Sequence, residues 1–143
     1  MNITNHFSFE EFTNIPYRDL PISVTDNITR LCLSYLEPLR LWYGEPIVIN
    51  SGFRTASQNA KVGGAKNSYH CLGAAVDIRC ESMDDAIQKA AWLLNRETQY
   101  IINSNLIAEL IISQNQRGSC WVHLAIRKNM SDKKRVIKFE TYG

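Results

Sequence analysis

No apolar run in this chain approaches the ~20 residues that a membrane-spanning helix needs, so no membrane partner is expected. The first residues, Met1 to His6, lack the basic and apolar regions of a signal peptide. The protein is therefore expected in the cytoplasm as synthesised, unless another agent releases it. Charge of one sign is scarce too. Lys and Arg total 16 against 14 Asp and Glu, a net charge of +2. That is too little for the basic stripe of a nucleic-acid binder, so no nucleic acid is expected. The run Asp132-Lys133-Lys134-Arg135 reads as a solvated turn rather than a phosphate-binding patch. Cys32, Cys71, Cys80 and Cys120 form no C-x-x-C pair. In a reducing compartment they are most simply free thiols. Internal repeats, low-complexity stretches and long linkers are missing. Residues 1–143 are expected to form one domain, and a monomer.

What is present has the periodicity of a mixed fold. Ser8-Phe9-Glu10-Glu11 reads as a capping box opening a short helix. Residues 12–24, with Pro16 and Pro21, look irregular. Thr25 is expected to cap a long helix whose buried stripe is Ile28, Leu31, Cys32, Tyr35, Leu36 and Leu39. Pro38 should bend that helix or interrupt a hydrogen bond, and Gly44 should stop it. Strands are expected over residues 46–50, 74–79, 107–113 and 120–127, with an edge strand over 135–139. A short helix over 57–61 should end at Gly63-Gly64. Ser82 with Asp85 should open a helix running to about Asn95. Helices come first and strands dominate later. The fold class is thus α+β, with helices on one face of a mainly antiparallel sheet.

Histidine is the scarcest of the chemically useful residues, three in all, and two of the three fall in suggestive places. His70 lies seven residues before Asp77, and His123 sits in Trp121-Val122-His123. Two imidazoles and a carboxylate are the ligand count of a catalytic zinc site with one position left open. In strands side chains alternate. Asp77 shares a face with Ala75 and Arg79, and His123 shares one with Trp121 and Ala125. If the apolar faces pack on helices, Asp77 and His123 project together into a cleft. Gly73 allows the turn that folds His70 toward Asp77. On spacing alone, packed histidines and an ion-paired aspartate account for the pattern as well.

The segment from Ser68 to Asp77 resembles the S-x-H-x-x-G-x-A-x-D motif of the D-Ala-D-Ala carboxypeptidase-like zinc peptidases. Those enzymes share the fold of the lysostaphin and Hedgehog-type metallopeptidases. The resemblance extends along most of the chain. Phe7 to Phe12 looks like the family's opening, and Leu36-Glu37-Pro38-Leu39-Arg40 with Pro46 to Ile49 like its first helix and strand. Ser51-Gly52-Phe53-Arg54, Asn59 and Val62 to Ala65 resemble the loop before the metal motif, and Trp121-Val122-His123 the second histidine motif. The compact peptidases of bacteriophages and prophages look most alike.

The resemblance implies that His70, Asp77 and His123 ligate Zn2+, which activates a water and polarises the scissile carbonyl. It implies that Arg54 contacts substrate and steadies the developing oxyanion. Ser68 matches the motif serine, which would bind substrate or orient His70. Cys71 adjoins a ligand but should point away. The general base departs from the pattern. Relatives commonly carry D-Q-L-I-x-E before the second histidine; here Ser113 stands at the glutamate and Glu109 at the glutamine. Glu109 is then either the general base or a surface residue. His6 is expected at the surface. Trp42, Tyr43 and Trp92 read as packing residues. Tyr69 and Trp121 would wall a substrate cleft, or simply pack.

The implied function is hydrolysis of peptidoglycan stem-peptide amides next to D-amino acids. The enzyme would be a D,D-carboxypeptidase or an endopeptidase, such as a phage lysis enzyme freed by a holin or carried in a virion. The alternative is a non-catalytic module of the same fold, binding metal and serving structure or cell-wall attachment. A metal-dependent nuclease uses similar ligands, but the chain lacks a basic groove.

Overall fold

The computed structural model describes residues 1–100 and 106–142. The chain opens with a 3-10 turn over Phe9–Glu11. The Ser8 backbone amide donates to Glu11 Oε2 at 2.7 Å, as the capping box requires. Residues 12–24 are more regular than expected. They include a 3-10 turn at Tyr17–Asp19 and the start of helix α1 (Ile22–Leu31). Thr25 therefore does not cap this helix. Pro21 precedes it at φ −56, which presets the entry without a side-chain cap. The Thr25 hydroxyl donates instead to the Ile22 carbonyl at 2.9 Å.

The single long helix expected from Thr25 to Gly44 is interrupted. Cys32–Leu36 forms a π-turn, and α2 (Glu37–Tyr43) follows. Pro38 supplies the reason. It has no N–H for the Ser34 carbonyl four residues back, and that carbonyl accepts from Arg96 Nε at 3.0 Å. The apolar stripe survives the interruption, and Leu31, Cys32, Tyr35, Leu36 and Leu39 are fully buried. Gly44 ends α2 at φ 80. A short α3 (Ala56–Lys61) begins behind Thr55, whose Oγ1 accepts from the Gln58 amide at 3.1 Å. Ser82 starts α4 (Met83–Tyr100) as expected, with Oγ accepting from the Asp85 amide at 3.1 Å. This helix runs past Asn95.

Among the described residues, β1 (Ile49–Ser51), β2 (Ala75–Cys80), β3 (Ile107–Asn115), β4 (Cys120–Ile126) and β5 (Val136–Tyr142) form one sheet. Its order is β1-β2-β4-β3-β5, and only the edge pair β3–β5 is parallel. The fold is thus the expected α+β with a mainly antiparallel sheet. β1 is shorter than the strand expected from Pro46, and it takes in Ser51. Val76, Ile78, Leu110, Val122 and Leu124 bury fully on one face of the sheet, and α4 lies against β2, β3 and β4. Alternation then turns Asp77, Glu109, Ser113 and His123 to the other face, where they line a cleft of about 480 Å³. No helix among the described residues is long and apolar enough to cross a membrane.

Candidate metal centre

The β2–β4 ladder sets Asp77 opposite His123. The Ile126 amide donates to the Ala74 carbonyl, and the Arg79 amide to that of Val48 on the other side. Residues of β2 therefore alternate between bonding β4 and bonding the chain around β1. Asp77 and His123 fall at a non-hydrogen-bonded pair, where Cα atoms stand roughly 4.5 Å apart and side chains are closest. Asp77 Oδ1 lies 2.9 Å from His123 Nδ1.

His70 reaches the same aspartate from a 3-10 turn, Tyr69–Leu72. Ser68 Oγ accepts from the His70 backbone amide at 3.2 Å and starts the turn. Gly73 ends it at φ 70, a left-handed conformation that favours glycine. A Cβ there would lie 2.9 Å from both the Val24 carbonyl oxygen and its Cγ1, so shape as well as backbone angle calls for glycine. His70 Nδ1 donates to the Gly52 carbonyl at 2.7 Å, and its Nε2 lies 3.4 Å from Asp77 Oδ2.

One donor atom each from His70, Asp77 and His123 lies within 4.8 Å of the other two. Each histidine has its other ring nitrogen held: Nδ1 of His70 by Gly52 O, Nε2 of His123 by Glu109 Oε1 at 2.9 Å. Such outer contacts fix the ring and its tautomer for a metal. The nitrogen and oxygen donors suit zinc or a similar divalent ion. The residues present fit a three-ligand metal site.

The charges here are strongly coupled. Burial disfavours the Asp77 carboxylate, but bonds from His123 and His70 outweigh it and hold its pKa well below the usual range. For His123 burial opposes the charged ring, while Asp77 and Glu109 outweigh burial and lift its pKa to about 9. Glu109, despite desolvation, is lowered to about 2 by His123 and Lys134.

Arg54 leaves β1 and returns to the centre. Its Nη2 lies 3.5 Å from Asp77 Oδ2, with Nε on Ser51 Oγ at 3.1 Å and Nη1 on Asn59 Oδ1 at 3.3 Å. Ser68 lines the cleft beside it. Glu109 does not lie free at the surface. Besides His123 it holds Lys134 Nζ at 2.8 Å through Oε2. Ser113 sits on the same face but is 1% exposed. Tyr69 and Trp121 do line the cleft, and Trp121 stacks on Tyr142 at 5.7 Å between ring centroids. Cys71 lines a neighbouring cavity rather than this one. His6 is remote, its Nδ1 pairing with Glu37 at 2.6 Å. Trp42 stacks on Trp92, with centroids 5.5 Å apart, and stays half-exposed.

The charged run before β5 is not merely a solvated turn. Asp132 accepts from the Tyr69 hydroxyl at 2.6 Å and from the Lys128 and Lys134 amides. Arg135 forks onto Glu97, 2.6 Å from each oxygen. Lys134 enters the cleft. Sequence reasoning missed these partners, because a charge run looks the same whether its side chains are paired or free.

A family model described as Peptidase M15 matches residues 5–104. No curated protein matches the chain. The matched stretch contains Arg54, Ser68, His70 and Asp77; Glu109 and His123 lie beyond it.

Proposed function

Because the chain belongs to the peptidase M15 family, we propose that it is a zinc peptidase that hydrolyses peptidoglycan stem-peptide amide bonds next to D-amino acids. The family makes it a metallopeptidase acting on a peptide-type substrate. The choice of zinc and of a cell-wall peptide is our reading. The observation that carries it is the convergence of His70 Nε2, an Asp77 oxygen and His123 Nδ1 in the floor of one cleft.

In this reading His70, Asp77 and His123 hold the zinc. Bound there, zinc activates a water for attack and polarises the scissile carbonyl. The protein's own groups do the rest. Arg54 is held by Ser51 and Asn59 with its guanidinium at the centre, so its charge is already aimed where an oxyanion develops. Ser68 uses its oxygen to accept from His70 and keeps its proton to offer a substrate carbonyl. Trp121 and Tyr142 give the cleft an apolar wall. Arg54 and Lys134 also line it, paired with the carboxylates of Asp77 and Glu109. A monomer would act, D,D-carboxypeptidase or endopeptidase, in the cell wall after release through a phage holin or from a virion.

Purified muropeptides test the reading. Zinc-loaded protein should cleave them, and chelation or His123→Ala should abolish cleavage. Retained hydrolysis after both treatments would refute it. One observation favours a second reading, a non-catalytic module that binds metal and serves structure or wall attachment. Both oxygens of Glu109 are engaged and Ser113 replaces an acid with a buried hydroxyl. Stoichiometric zinc without turnover on any muropeptide would select that module.

A further inference from the structure

We propose that Glu109 is a positioning residue, held by Lys134, that orients His123, and that it is not the group taking a proton from the attacking water. The inference rests on the metal-site reading above.

The two nitrogens of His123 meet different partners. Nδ1 faces Asp77 Oδ1 at 2.9 Å, on the side where His70 stands with its ring centroid 5.2 Å away. Nε2 is on the opposite edge of the ring. It is this far nitrogen that Glu109 Oε1 meets at 2.9 Å. The imidazole therefore stands between the Glu109 carboxylate and any cation held by the three ligands. A general base must reach the proton it abstracts directly or through one water. A carboxylate on Nε2 has instead the geometry of an acceptor that fixes a ligating histidine.

Strand register explains why Glu109 approaches from there. The β3 residue opposite His123 is Ile111, while Glu109 pairs with Ala125, after a register shift between Ile107 and Glu109. Its side chain thus reaches His123 from two residues along the strand. Lys134 fixes it in place through Oε2 at 2.8 Å. Lys134 is itself steered by its loop, since Asp132 takes the Lys134 amide at 3.1 Å and the Tyr69 hydroxyl at 2.6 Å. Tyr69 adjoins His70. The loop between β4 and β5 is thereby tied to the turn carrying one histidine and, through Glu109, to the other.

The lysine's role is geometric more than energetic. Its side chain is 47% exposed, and a solvated pair of this kind contributes little stability. What it restricts is the freedom of a carboxylate that would otherwise choose among rotamers.

The test separates positioning from proton transfer by measuring zinc affinity, with a competing chelator, beside muropeptide turnover. A positioning Glu109 predicts that Glu109→Ala weakens zinc ~10–100-fold. Glu109→Gln, whose amide oxygen still accepts from Nε2–H, should recover most of that affinity and, once zinc saturates, most of the turnover. Lys134→Met should weaken zinc in the same direction, by less than Glu109→Ala. If Glu109→Gln instead binds zinc normally and loses ~10²–10⁴-fold in turnover at saturating zinc, it is the general base and the proposal is overturned. Unchanged zinc affinity in Glu109→Ala would overturn it as well. A wild type that turns over no muropeptide would end the peptidase reading, but the affinity series would still decide the role of Glu109.

Discussion

Gly52 is the position where a single methyl group should disturb the centre most from outside it. A Cβ built on Gly52 would lie 2.5 Å from the Phe12 carbonyl oxygen and 2.7 Å from Phe12 Cα. Those are backbone atoms and cannot rotate away. They are also fixed, because Phe12 is buried and its carbonyl accepts from the Phe53 amide at 2.8 Å. Gly52→Ala must therefore push the loop after β1 away from the opening 3-10 turn. Overpacking of this kind costs about 1–3 kcal/mol. At this chain length each kcal/mol lowers the melting temperature by roughly 3–5 °C, so zinc-free protein should melt roughly 3–15 °C lower. The second consequence is at the metal. The Gly52 carbonyl that moves is the one accepting from His70 Nδ1. A loosened ligand should weaken zinc by ~10–100-fold, the usual cost of losing an outer contact. Thermal unfolding without zinc and chelator competition read the two effects separately. Wild-type melting would refute the packing argument. Lower melting with unchanged zinc affinity would refute the link from Gly52 to His70.

Zinc affinity should rise with pH up to about 9, by at most ~10-fold per unit. In zinc-free protein the His123 pKa is raised to about 9, so below that pH zinc must expel a proton from the ring. Isothermal titration in buffers of different ionisation enthalpy would show the release, and pH-independent binding would count against it. The same raised pKa stabilises the zinc-free fold fully below about pH 6.5 and loses that contribution as pH climbs through about 9. Zinc-free melting should fall across that window. Arg54→Ala should lower muropeptide turnover by ~10²–10³-fold, as loss of an oxyanion contact does, with one zinc still bound per chain; undiminished turnover would remove Arg54 from the mechanism. Burial pushes the Cys32 thiol far up and that of Cys80 to about 12, and Cys120 is 5% exposed. A thiol reagent should therefore find one fast cysteine, Cys71, in the native protein and four after unfolding. Two or more fast thiols would contradict the burial.

Much of this arrangement was legible in the sequence, for physical reasons that differ by element. Strand alternation put Asp77 and His123 on one face, because a period of two leaves no other choice once Val76, Ile78, Val122 and Leu124 must be buried. Ser8 with Glu11 and Ser82 with Asp85 marked their turns because a cap is local chemistry. The start of α1 was not legible at Thr25, since Pro21 sets the entry by its ring and needs no side-chain cap. The contacts of Glu109 were beyond reach for a different reason. They depend on the offset between β3 and β4 and on the path of the loop that carries Lys134, and neither leaves a periodic trace. The run at Asp132 to Arg135 misled because charge composition does not report partners.

The family match stops at residue 104, yet His123 lies on a strand after it. What joins the two halves of the centre is the register of β2 against β4, six pairs from Ala75–Ala125 to Cys80–Cys120. A slip of one residue would turn His123 toward the helices. A slip of two would keep the face but move His123 by ~7 Å along the strand, out of reach of a cation held by His70 and Asp77. The contacts of His123 with Asp77 and Glu109 favour the observed register even without metal. The apolar face adds to them, because a slip of one would expose Val122 and Leu124, now fully buried against the helices. Slips of two would set β4 out of step with the packing of α4. Part of the precision of the metal site is thus supplied from the opposite side of the sheet, by residues that never touch it.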